Sequence, residues 1–100
     1  MIAEIQVLPT PAGTATDRYA HVDAAIAALR AAGLRVEVGA LGTTLEGPPG
    51  AGWAALRRAH EATLSAGAVG VVTVLKVAEG AGDGPDSGPS IDDLLAGHRP

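Results

Sequence analysis

The order of hydropathy patterns along this chain predicts an α+β domain of the ferredoxin-like βαββαβ type: a four-stranded antiparallel sheet with two helices on one face. Three observations carry that expectation. Residues 2–8 and 34–41 alternate with period two, as half-buried strands do. Two Ala-rich stretches repeat their apolar residues at spacings of three and four, as amphipathic helices do. A late Val-rich run over 69–77 is apolar on both sides, as a covered strand would be. Each half then reads strand–helix–strand, and the right-handed crossover rule leaves few topologies, of which the split βαβ arrangement is the simplest.

The elements follow in order. In the first strand Ala3, Ile5 and Val7 point one way, and Ile2, Glu4, Gln6 and Leu8 the other. Pro9 and Pro11 stop it, and residues 12–16 read as a loop. Thr16 or Asp17 is a candidate cap for the first helix, whose stripe is Val22, Ala25, Ile26, Leu29 and Ala32, with Gly33 at its end. The second strand, 34–41, turns at Gly42 into a short partner, 43–46, which the Gly47-Pro48-Pro49-Gly50 stretch breaks. The second helix is expected over about 52–66, with Trp53, Leu56, His60 and Leu64 on its apolar stripe. The chain thus divides into a folded domain over 1–79, a Gly/Pro/Ser/Asp-rich flexible linker over 80–89, and a tail over 90–100 with one short capped helix.

Composition bounds the function. One hundred residues make one domain, and 47% of them are hydrophobic, yet there is no Phe and only one Trp, one Tyr and one Met. A domain of this size buries only about two-thirds of its unfolded surface, so oligomerisation is a natural source of extra burial, and Ile2, Leu8, Leu41 and Val74 on the open sheet face lead to the expectation of a homodimer or homotetramer. Seven basic against eleven acidic residues give a net charge of −4, with Arg57-Arg58 the only basic pair. That balance argues against nucleic acid, whose phosphates need a clustered positive face, and favours a cationic ligand. No apolar run approaches the roughly 18 residues of a membrane span. With no Cys and no basic, signal-like N-terminus, the default location is the cytoplasm.

Parity carries the reading toward a site. With Ala3, Ile5, Val7, Val36, Val38 and Leu45 facing the helices, the other sheet face holds Ile2, Glu4, Gln6, Leu8, Arg35, Glu37, Leu41, Thr44 and Glu46, joined by Val72, Val74 and Lys76. Such a face is either a solvated surface of cross-strand ion pairs or the seat of a second subunit and a ligand, where its charges need partners. The stretch 39–47 is rich in glycines, where backbone can approach a ligand closely or simply form a hairpin. His60 on an apolar stripe is more often a hydrogen-bonded core residue than a ligand contact. His60-Glu61 lacks the second His of a zinc-binding helix motif, and His21 and His98 add no metal-ligand spacing, so no metal site is expected.

Several pieces in order then resemble the thiamine-binding protein family: Ala3-Glu4-Ile5 leading to Leu8-Pro9; Tyr19-Ala20 opening a helix that ends Ala32-Gly33-Leu34; Gly42-Thr43 and Leu45-Glu46-Gly47; a Trp soon after; His60-Glu61; and Ala66-Gly67-Ala68 before a strand with Thr73 and Lys76. The resemblance spans about residues 2–78. It implies small cytoplasmic ferredoxin-like domains that bind thiamine or its hydroxymethylpyrimidine portion, without catalysis or a further cofactor, and that form dimers through their sheets and often tetramers. Carried over by match, Glu4, Gly42, Thr43, Glu46, His60, Thr73 and Lys76 are the motif positions. Two positions depart from the family pattern: Gln6 stands where Ser is usual, and Glu79-Gly80-Ala81-Gly82 where an Arg follows the last strand.

Thiamine is a cation with an aminopyrimidine ring, so Glu4, Glu37 or Glu46 could accept from its amine and offset its charge. The expected site is Glu46 as main carboxylate, with Thr43 and Thr44 fixing its strand, His60 behind, and Glu4, Thr73 and Lys76 nearby. The competing readings are a structural or regulatory ferredoxin-like oligomer with no thiamine ligand, and an enzyme using Glu46 and His60 as an acid/base pair.

Overall fold

The computed structural model of the chain describes residues 1–82 and 88–99. Its elements are β1 (Ile2–Thr10), α1 (Ala20–Ala31), β2 (Arg35–Val38), β3 (Thr43–Glu46), α2 (Pro49–Ser65), β4 (Gly70–Ala78) and α3 (Ile91–Leu95). The strands form one sheet in the order β2-β3-β1-β4, with every neighbouring pair antiparallel. This is the ferredoxin-like arrangement that the two strand–helix–strand halves require.

The parity of β1 places the core. Ala3 and Ile5 are buried beneath the helices beside Leu45 of β3, Ala25 and Leu29 of α1, and Ala55, Leu56 and Ala59 of α2, with Val7, Val36 and Val77 packed against them. The register sets Ala3 beside Leu45 and Val77, and Ile5 beside Thr43 and Leu75. It follows that Ile2, Glu4, Gln6 and Leu8, with Arg35, Glu37, Thr44, Glu46, Val72, Val74 and Lys76, share the opposite, open face. Leu41, expected on that face, instead lies in the 39–42 loop and is exposed.

Other sequence expectations shift as well. β1 runs on through Pro9 to Thr10, paired with Val71 and Gly70, past the expected stop, and β4, expected to be covered on both sides, leaves Val72 and Val74 exposed. The first helix begins at Ala20 rather than at Thr16 or Asp17, because residues 14–17 close a turn of their own: the Asp17 amide donates to the Thr14 hydroxyl at 3.0 Å, and the Thr14 amide to the Asp17 carbonyl at 2.7 Å. The second strand ends at Val38, because the chain closes a tight loop in which the Gly39 amide donates to the Gly42 carbonyl at 2.8 Å. Most tellingly, α2 turns a stripe of small residues inward. Gly52, Ala55, Leu56, Ala59 and Thr63 are buried, while Trp53 and Leu64 are exposed. Small side chains let the helix backbone come close: a Cβ on Gly52 would sit 2.9 Å from the buried Met1 Sδ. The helix also starts earlier than expected, with Pro49 in its first turn, where a missing N–H costs nothing.

Of the linker expected over 80–89, residues 83–87 lie outside the described residues, as does Pro100 at the end of the tail. Beyond them, α3 is closed by a capping box, in which the Ser90 hydroxyl accepts from the Asp93 amide at 3.0 Å and the Asp93 carboxylate from the Ser90 amide at 3.4 Å. The segment lies on the open face of the sheet. Ile91 is 1% exposed and its amide donates to Glu46 Oε1 at 2.5 Å. Arg35 grips Asp92 with both terminal nitrogens, at 2.6 and 2.8 Å, and Arg99 bridges Asp92 at 2.7 Å and Glu37 at 2.9 Å. The hydrogen bonds from Arg35, and then from Arg99, hold the Asp92 carboxyl below the ordinary carboxylate range, and Asp92 in turn holds the Arg35 guanidinium above its ordinary value.

Candidate functional site

Three of the candidate residues, Glu4, Thr43 and Thr44, border the glycine-bounded 39–42 loop, and a hollow opens on each side of it. The helix-side hollow has a volume of about 500 Å³ and runs between α1, β1 and the loop. Its walls are mostly apolar, with Ile5, Val7, Val22, Ile26 and Leu29 prominent. Such a volume and lining fall within the range of small-molecule sites. Four polar residues line it: Gln6 of β1, Thr43, the first residue of β3, and Tyr19 and Asp23 at the start of α1.

Thr43 is the most informative of them. It sits on the core side of β3 and is only 5% exposed. Its hydroxyl bonds to no described residue, yet it is not a sealed buried atom either, since no buried side-chain polar atom among the described residues lacks a partner. It therefore opens on the hollow as an unused donor and acceptor. Asp23 is exposed at the rim, in the first turn of α1, where the helix dipole favours its negative charge. Its carboxylate makes no hydrogen bond or ion pair among the described residues. Tyr19 carries the Arg18 guanidinium 6.0 Å from its ring centre, a cation–π contact at the mouth.

The open-face hollow is shallower, about 380 Å³, and is lined by Glu4, Glu37 and Thr44 with the same loop. Glu4 lies against Gly42, where a Cβ would come within 3.2 Å of its Cγ. The absence of a side chain at Gly42 thus seats Glu4 beside the loop. Glu37 is already engaged, by Arg35 at 3.3 Å and by Arg99.

The expected site residues therefore divide into separate places. Thr43 lines the helix-side hollow, while Glu4 and Thr44 line the open-face hollow. Lys76 stands directly across from Glu4 on β4, on the open face. Glu46 lies further along that face, where its carboxylate caps the start of α3. His60 and Thr73 meet on the helix side between α2 and β4, Nδ1 to Oγ1 at 2.6 Å, as a hydrogen-bonded pair. The other ordered histidine of interest, His21, is buried and donates from Nδ1 to the Pro11 carbonyl at 2.7 Å, tying the loop after β1 to α1. Sequence reasoning missed Tyr19 and Asp23. The available signal was their position in the first turn of a helix whose stripe, Val22 and Ile26, faces the same hollow.

Among the described residues no three His, Cys, Asp or Glu side chains are grouped to hold a metal ion, and no helix is long and apolar enough to cross a membrane.

The fold has parallels in solved structures. A domain of unknown function, DUF77, from Bacillus cereus is 34% identical, with 98% of this chain and 88% of that one covered and a TM-score of 0.80. A hypothetical protein from Methanocaldococcus jannascii is 29% identical over 96% and 92% of the two chains, with a TM-score of 0.75. A candidate thiamine biosynthesis or salvage protein from Thermotoga maritima shares the fold at 22% identity, over 98% and 97% of the chains, with a TM-score of 0.76. No curated protein matches the chain. The profile of the thiamine-binding protein family matches residues 3–87, from β1 past the end of β4. That span takes in all of the βαββαβ unit but Ile2, with both hollows, and the chain belongs to the thiamine-binding protein family.

Proposed function

We propose that the chain binds thiamine or its hydroxymethylpyrimidine portion, without catalysing a reaction on it, in the hollow between α1 and the 39–42 loop. The observation that carries this reading is the Thr43 hydroxyl, unbonded and opening on an apolar cavity of about 500 Å³. An aminopyrimidine offers flat apolar faces for Val7, Val22 and Ile26 and polar edges for one hydroxyl. The positive charge of thiamine suits the unpaired Asp23 carboxylate at the rim. Family membership points to the same ligand class, and the description of the Thermotoga protein concerns thiamine as well.

The working form is a cytoplasmic homodimer or homotetramer joined through the open sheet face, where Leu8, Val72 and Val74 are 49%, 62% and 50% exposed. No further cofactor enters this reading. Against an acid/base enzyme stands the separation of its two candidate groups: His60 is bonded to Thr73 on the helix side, and Glu46 to Ile91 on the other.

Thermal unfolding with thiamine and with hydroxymethylpyrimidine tests the proposal. A ligand at 100 times its dissociation constant stabilises by about 2.7 kcal/mol, several degrees of melting temperature for a domain of this size. No shift with either compound at millimolar concentration overturns it.

A further inference from the structure

The open sheet face is half covered by the chain itself. Residues 88–99 lie over the end of the face that carries Glu46, Arg35 and Glu37, while the half that carries Leu8, Val72 and Val74 is bare. We propose that this C-terminal strap is an autoinhibitory cover, held by charge, that restricts stacking of a second copy on the sheet face and sets how readily the chain assembles. The inference rests on the proposed assembly through that face and adds its regulation.

The strap is built to let go. Its helix has five residues, too few to persist without tertiary contacts. Its apolar anchor is one side chain, Ile91, buried although it is not part of the core beneath the helices. The remaining hold is the Ile91 amide on Glu46 and the ring of Arg35, Asp92, Arg99 and Glu37. All four ring side chains are more than a third exposed, so salt screens their attraction.

The face beneath suits a second copy. Leu8 pairs with Val72 in register, and Val74 follows on the same face of β4 beside Gln6, so Leu8, Val72 and Val74 form an exposed apolar patch edged by one amide side chain. At its end Glu4 and Lys76 stand side by side, yet no ion pair joins them. A copy stacked about a two-fold axis that runs along the strands between β1 and β4 would bring each Lys76 toward the other copy's Glu4, the self-complementary pattern that isologous interfaces use. With the strap docked, the end of the face that carries Glu46, Arg35 and Glu37 is withheld from that contact. Strap release extends the stacking area across the whole sheet.

Asp92→Asn and Arg99→Gln in the full chain test this, with two readouts. Exchange protection of the Ile91 amide reports the strap, and light scattering at matched concentrations reports assembly. The expected result is a fall in Ile91 protection of tenfold or more, unchanged protection at Ile5 and Leu45, and a dissociation constant for self-association at least several-fold lower. Sodium chloride at 1 M moves the unmodified chain the same way. Loss of Ile91 protection with unchanged or weaker assembly overturns the inference, as does Ile91 protection that neither substitution nor salt lowers. A chain that is monomeric in every variant removes the assembly reading along with it, whereas associating chains that all behave alike remove this inference alone. Neither result depends on thiamine.

Discussion

Replacing Thr43 by Val separates binding from folding more sharply than any other single change. Valine keeps the branched shape and suits a strand at least as well. The hydroxyl it removes makes no internal hydrogen bond, so folding loses nothing there. The stability change should stay within about 0.5 kcal/mol, as for substitutions that touch no buried network. Binding should suffer, because a ligand edge that met the hydroxyl loses one neutral hydrogen bond, worth about 0.5–1.5 kcal/mol net. At 1.4 kcal/mol per factor of ten, thiamine affinity should fall roughly two- to twelvefold. Thr44→Val is the internal control, since the next residue along β3 points to the other face of the sheet. Isothermal titration calorimetry with thiamine reads both variants. The reasoning is refuted if Thr43→Val binds like the unmodified chain while melting normally, or if Thr44→Val weakens binding by as much.

Other outcomes follow from the same geometry. Asp23→Asn removes a charge at the rim, and a charge-assisted contact worth about 1.5–3 kcal/mol predicts a thiamine affinity at least tenfold lower by calorimetry, with hydroxymethylpyrimidine, which lacks the cationic ring, affected less. Leu45→Ala empties a fully buried position at the centre of the core, so urea unfolding should show a loss of about 2–5 kcal/mol. Gly67→Ala must hold alanine at a φ of +126° with its Cβ 3.2 Å from His21 Nε2, a strained backbone costing about 1–3 kcal/mol in the same assay. Asp92, held below its ordinary range by Arg35 and Arg99, favours the docked strap only while ionised. A carboxyl lowered in the folded state contributes above its unfolded value, about 3.9, and progressively less as pH falls from there. Ile91 amide protection should therefore persist at pH 5–7 and decline below about pH 4.

The fold was legible because its evidence is local. Period-two alternation in β1 assigned Ala3, Ile5 and Val7 to the core and Glu4, Gln6 and Leu8 to the open face, and the register agrees residue by residue. The inner face of α2 was not legible, because a pattern reader follows bulk. Trp53 and Leu64 are larger than Ala55, Ala59 and Gly52, but close helix packing selects the small ones. The interest of the 39–47 glycines was visible in sequence, and their loop does border both hollows. What no window of sequence contains is the strap. Arg35 meets Asp92 across 57 positions and Glu46 meets Ile91 across 45, so Glu46 read as a free carboxylate when the chain supplies its partner. Thr43, by contrast, was named as support for Glu46 and stands at the cavity in its own right.

Backbone amide shifts recorded while thiamine is titrated into the ¹⁵N-labelled chain test the central claim most directly. Binding in the helix-side hollow predicts saturable shifts concentrated at Tyr19, Asp23, Ile26, Gly42 and Thr43, with Val72, Val74 and Lys76 on the open face little changed. Saturable shifts centred on the open face, or no shifts at millimolar thiamine, would contradict it.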